Sequence, residues 1–130
     1  MSKRILVVDD EQDVRVFITT ILETSGFKPI AAKNGQEGLE MARLKNPALI
    51  IMDIMMPKES GIFMYREVKK DPQLSGIPVI MVSAISKKTF FHSQKVVDEY
   101  EGVKMPEPAA YIEKPPEADE LLDAVRKILA

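Results

Sequence analysis

The chain has no cysteine. Disulfides and thiolate metal sites are thereby excluded, which suits a cytoplasmic protein. It has one histidine, His92, in a stretch that does not read as a metal site, so a surface or partly buried role fits it better than ligand or phosphodonor. No apolar run approaches the ~20 residues that a membrane span needs. Met1-Ser2-Lys3-Arg4 followed by Ile5 to Val8 starts like a signal peptide, but the apolar stretch is too short and two aspartates end it. An excess of positive charge is also missing: 18 Lys and Arg stand against 20 Asp and Glu, for a net charge of -2. Direct nucleic-acid binding needs a basic face to neutralise phosphates, so it is not expected. No glycine-rich phosphate loop follows the first apolar run. Acidic residues stand there and would repel a phosphate without a metal, which weighs against a nucleotide or flavin binder. There is no internal repeat, low-complexity tract or linker. The 130 residues, 45% hydrophobic and 29% charged, suit one soluble domain over residues 1–130, with no membrane insertion.

What is present is an alternation of short apolar runs with amphipathic stretches. Ile5 to Val8 is apolar on successive residues, as in a strand buried on both faces. Residues 11–25 carry Val14, Phe17, Ile18, Ile21 and Leu22 at helical spacing, with Gly26 as the stop. Residues 28–33 form a weaker strand whose Pro29 suggests an edge or a strand start. Asn34 caps a helix to about Lys45, and Pro47 blocks its continuation. Ala48 to Met52 is a third strand, about Ser60 to Lys70 a third helix, and Ile77 to Val82 a fourth strand. Phe90, Val97 and the pair Val96/Tyr100 suggest a helix over about 87–101. Pro106 and Pro108 force an extended loop before a fifth strand around Tyr111, and residues 117–129 close the chain as a helix. Five strand-then-helix units predict an α/β fold: a doubly wound, five-stranded parallel sheet of order 2-1-3-4-5 with helices on both faces.

Polar groups close four of these runs. Asp9-Asp10 follows the first, Asp53 the third, Ser83 the fourth and Lys114 the fifth. In a parallel sheet all of them reach one edge. Each has a plain structural reading taken singly: an aspartate after a strand forms a turn or caps a helix, and a lone lysine is solvated. Together they describe a site. Three neighbouring carboxylates need a counter-charge, and a hard cation such as magnesium prefers oxygen ligands. Asp10 and Asp53 are candidates for direct ligation, Asp9 directly or through water, and a backbone carbonyl just after Asp53, most simply that of Met55, would complete the set. Asp53, a single carboxylate on a central strand, is the best nucleophile toward phosphorus. The metal, the Lys114 ammonium and the Ser83 hydroxyl can each hold one phosphoryl oxygen.

Over its full length the chain resembles the receiver domains of two-component response regulators. The resemblance rests on Val7-Val8-Asp9-Asp10-Glu11, Asp53-Ile54-Met55-Met56-Pro57 with Gly61, Val82-Ser83-Ala84, and Tyr111-Ile112-Glu113-Lys114-Pro115. It implies a flavodoxin-like sheet and a magnesium-dependent phosphorylation switch rather than an enzyme in the ordinary sense. Asp53 matches the phospho-acceptor, Asp9 and Asp10 the acidic metal pair, Ser83 the switch hydroxyl, Lys114 the lysine of the site and Tyr111 the switch aromatic. The implied donor is a phosphohistidine on a sensor histidine kinase or phosphotransfer protein. The implied output is a change in the surface of helix four, strand five and helix five that binds a downstream protein, from a monomer or weak dimer. In that switch, phosphorylated Asp53 draws Ser83 inward and the Tyr111 ring turns from exposed to buried.

Some residues depart from the family pattern. The stretch from Ser83 to Lys114 is longer than usual, with Met105-Pro106-Glu107-Pro108 ahead of strand five, and Pro116 stands where an aromatic is common. Lys114-Pro115 matches a bond that is often cis. At least one of Phe90 and Phe91 is expected in the core. Met55 and Ile85, each two positions past a site residue, cannot orient a water by hydrogen bonding, so slow self-dephosphorylation is expected. Two other readings stay open: a metal-dependent phosphohydrolase with an aspartyl nucleophile, which the absence of Asp-X-Asp at Asp53-Ile54-Met55 disfavours, and a receiver-like module that binds partners constitutively.

Overall fold

The computed structural model describes residues 3–102 and 105–130. Its elements alternate as expected: β1 (Arg4–Val8), α1 (Gln12–Thr24), β2 (Lys28–Ala32), α2 (Gly35–Lys45), β3 (Leu49–Met52), a 3-10 turn (Pro57–Glu59), α3 (Ser60–Lys70), β4 (Val79–Ser83), α4 (Lys87–Glu101), β5 (Ala110–Glu113) and α5 (Ala118–Leu129). The strands form one sheet of order β2-β1-β3-β4-β5, and every pairing is parallel.

Side chains on successive strand residues point to opposite faces, and the apolar runs supply both. Leu6, Val8, Ile50, Met52, Val79 and Met81 pack on one face against Leu39, Met64, Tyr65, Val68 and Phe90 of α2, α3 and α4. Ile5, Val7, Leu49, Ile51, Ile80, Val82 and Ile112 pack on the other against Ile18, Leu22, Leu121 and Val125 of α1 and α5. Burial on both faces explains why these strands read as continuous apolar runs. Phe90 is in the core and Phe91 is half-buried against it. The expected α4 is present, whereas the side chains of Val96, Val97 and Tyr100 lie outside the described residues.

Local signals set the element ends. The Asn34 side chain accepts from Glu37 N at 2.8 Å and starts α2. Asn46 closes it in the left-handed region, and Gly26 follows α1 with φ +89°. Gly61 lies so close to the chain leaving β3 that a Cβ there would stand 2.5 Å from the carbonyl oxygens of Asp53 and Ile54. Only glycine lets α3 approach this loop. One expectation is corrected: Phe17 is 43% exposed and outside the buried face of α1, which centres on Ile18 and Leu22. β4 also begins at Val79, two residues later than the apolar run, although Ile77 is buried. Among the described residues no helix is long and apolar enough to cross a membrane.

Candidate functional site

The C-terminal ends of β1, β3, β4 and β5 share one edge of the sheet. The backbone ladder continues one residue past three of them: Asp9 N donates to Ala32 O (3.2 Å), Asp53 N to Val8 O (3.0 Å) and Lys114 N to Ser83 O (2.8 Å). Asp9, Asp53 and Ser83 are buried, and Asp10 is exposed.

The two buried aspartates are held alike. Asp9 Oδ1 accepts from Glu11 N at 2.8 Å, and Asp53 Oδ1 accepts from Met55 N at 2.8 Å. Each makes the turn that a lone aspartate after a strand suggests. That turn aims the second oxygen at the centre. There Lys114 Nζ lies 2.8 Å from Asp53 Oδ2, 3.2 Å from Asp9 Oδ2 and 2.7 Å from Glu11 Oε1. The Lys114-Pro115 peptide is cis. Arg15 Nη1 donates to the Asp9 carbonyl at 2.7 Å and ties α1 to the end of β1.

Asp9, Asp10, Glu11 and Asp53 each offer an oxygen within 4.8 Å of the others. Asp9 Oδ2 is buried and accepts no hydrogen bond; its approach to Lys114 is an ion pair without hydrogen-bond geometry. A buried, unsatisfied carboxylate oxygen amid clustered hard donors fits a divalent cation with oxygen preference. Glu11 is the member of this cluster that the spacing of strand ends did not single out. Its signal was its place as third acid after Asp9 and Asp10.

Burial raises the Asp9 carboxyl above the ordinary carboxylate range, against the Glu11 N–H and the Lys114 charge, which lower it. Burial works to lower Lys114. Hydrogen bonds to Asp53 and Glu11 and the charges of Asp53 and Asp9 outweigh it and hold the ammonium above the ordinary lysine range. An acid whose folded pKa is raised favours the fold while protonated, and that contribution is lost as pH rises through the raised value. In metal-free solution Asp9→Asn is therefore expected to be more stable than the parent at neutral pH. The gain should vanish below the ordinary carboxylate range and shrink when magnesium is supplied; urea unfolding with and without chelator checks this.

Ser83 Oγ accepts from Ile85 N at 3.3 Å. The Tyr111 phenol donates to Ile85 O at 2.7 Å, and its ring lies 5.1 Å from that of Phe90 and 6.1 Å from that of Phe91. The ring expected to turn inward on phosphorylation is already inward here. A cavity of about 610 Å³ between α3, α4 and the segment before β5 is lined by Tyr65, Phe90, Phe91 and Met105 among others, and by none of the acidic-site residues.

A doubly wound sheet with carboxylates and a lysine gathered at one edge is an arrangement that could hold a cation. A family model described as response regulator receiver domain matches residues 5–126, and the chain belongs to that family. It is 34% identical over 127 residues to protein PilH of Pseudomonas aeruginosa, covering 98% of each chain. It is 31% identical over 129 residues to the polar-differentiation response regulator DivK of Brucella anthropi, covering 99% of this chain and 98% of that one. Its fold matches that of the chemotaxis response regulator CheY4 of Vibrio cholerae with a TM-score of 0.82 at 22% identity, over 98% and 99% of the two chains. DivK and CheY4 are response regulators, signalling proteins rather than enzymes, and receiver domains work with histidine kinases.

Proposed function

We propose that this chain, as one receiver domain over residues 1–130 acting in the cytoplasm, is a switch thrown by phosphorylation of Asp53. The convergence of Asp53 Oδ2, Asp9 Oδ2 and Glu11 Oε1 on Lys114 Nζ carries the reading. The donor is a phosphohistidine of a sensor histidine kinase or phosphotransfer protein. A carboxylate oxygen of Asp53 attacks phosphorus, the P–N bond breaks, and the leaving imidazole takes up a proton. The product is an acyl phosphate. Asp10 and Asp53 would hold magnesium, with Asp9 direct or through water and the Met55 carbonyl beside them; such an ion would supply positive charge beside the phosphoryl oxygens. Lys114 pairs with one of those oxygens and the Ser83 hydroxyl donates to another. Ser83, Tyr111 and the α4–β5–α5 face then carry the change to a downstream protein, which binds one arrangement better than the other.

The test is incubation with magnesium and a small phosphodonor, followed by intact-mass measurement. One stable added phosphate supports the switch. Rapid multiple turnover without an adduct favours the phosphohydrolase reading. Met55, 55% exposed, has no group that orients water. Met55→Asn is expected to speed decay of the phosphorylated protein about tenfold by positioning the attacking water, read as loss of the added mass with time.

A further inference from the structure

The loop from β4 to α4 is tied to β5 at three alternate residues. Lys114 N donates to Ser83 O at 2.8 Å, and the Tyr111 phenol donates to Ile85 O at 2.7 Å. The third tie is made by Glu113, whose Oε1 accepts from Lys87 N at 2.7 Å. Lys87 is the first residue of α4, and its N–H has no partner within the helix. Ser86 Oγ accepts from Thr89 N at 3.2 Å and satisfies another of these donors. The first turn of α4 contains no acid, and the Lys87 N–H takes its acceptor from the neighbouring strand instead.

Tyr111 and Glu113 are two residues apart on β5 and point to the same face of the sheet. One grips the middle of the loop and the other its far end. The Ile85 carbonyl that receives the phenol lies between the ties at Ser83 and Lys87, and Ile85 N also donates to Ser83 Oγ at 3.3 Å. The Ser83 end is held by backbone; the Lys87 end is held across to β5 by the Glu113 side chain.

We infer that Glu113 is a positioning residue of the switch: it anchors the start of α4 so that the β4–α4 loop keeps Tyr111 turned inward before Asp53 carries a phosphoryl group. This deepens, and rests on, the phosphorylation reading above. A residue that holds one of two arrangements sets their ratio at rest. The inward ring is the arrangement that phosphorylation is expected to favour. Releasing the anchor therefore moves the resting protein away from it and slows phosphoryl uptake.

The experiment compares the whole chain with Glu113→Ala and Glu113→Gln by NMR, first without phosphodonor. The Tyr111 ring signal is assigned with Tyr111→Phe. In Glu113→Ala the Lys87 amide should exchange about tenfold faster, the scale of a lost helix cap. The Tyr111 signal should also shift toward that of a solvent-exposed tyrosine. Glu113→Gln keeps an oxygen that accepts from Lys87 N–H, and its Tyr111 signal should stay with the parent. Uptake from a small phosphodonor should be about fivefold slower in the alanine variant and near the parent rate in the glutamine one. An unmoved Tyr111 signal in Glu113→Ala overturns the inference, because Glu113 would then be a local cap alone. A glutamine variant that shifts as far as the alanine variant also overturns it, because charge rather than the hydrogen bond would be at work. If Tyr111 responds as expected but the parent takes up no phosphate, the positioning role stands and the phosphorylation reading falls. If the parent is phosphorylated and Tyr111 does not respond, only the positioning role falls.

Discussion

Lys114→Ala is expected to lose about 3 kcal/mol of stability in metal-free solution, the scale for removing one partner of a buried charged group. The Lys114 side chain is 10% exposed, and those of its partners Asp9 and Asp53 are 2% and 3% exposed. Without the ammonium, two buried carboxylates face each other and the partly solvated Glu11 with no opposing charge. Much of the loss should return on adding magnesium, because a ligand that binds only the folded state stabilises it. Phosphoryl uptake should not return with it. Lys114 also meets charge on the phosphoryl oxygens, and removing a donor to such oxygens slows comparable reactions by on the order of a hundredfold. Urea unfolding with and without magnesium, beside the rate of phosphate incorporation, separates the two effects. Equal stability of parent and variant in chelator would mean that the triple contact at Nζ contributes nothing.

Asp53→Asn should leave the fold intact and abolish phosphoryl uptake. The asparagine carbonyl can still accept from Met55 N, as Asp53 Oδ1 does at 2.8 Å, so the turn after β3 survives. What disappears is the nucleophile: an amide oxygen does not form an acyl phosphate. Magnesium affinity should fall as well, because a charged ligand becomes neutral. A circular-dichroism spectrum like the parent's, with no added mass after incubation, is the expected pair of results. Undiminished phosphate incorporation in this variant would place the acceptor elsewhere.

The strand order and the placing of Asp9, Asp53, Ser83 and Lys114 at one edge were legible because strands buried on both faces read as unbroken apolar runs, and parallel pairing sends their ends the same way. Side-chain direction was not legible. Glu11 reads as the residue before a helix, yet its carboxylate turns back 2.7 Å to Lys114. Phe17 has helical spacing with Ile18 and Ile21 but lies at the margin of the apolar stripe, where the helix turns toward solvent. The bond from Glu113 to Lys87 joins residues far apart in sequence on an exposed rim, and no periodicity marks it. Nor does composition show that the Tyr65 phenol holds the Pro106 carbonyl and fixes the segment ahead of β5. The inward Tyr111 ring depends on the path of the loop around Ile85, which local sequence leaves open.

Asp53 as an acceptor that requires a cation at the same cluster is tested most directly by locating the phosphate. The parent protein is incubated with a small phosphodonor, in magnesium and in chelator, and the modified residue is mapped by mass spectrometry. The expected result is a single phosphoryl group on Asp53 that forms in magnesium and not in chelator. Phosphate on any other residue, or equal incorporation in chelator, would contradict it.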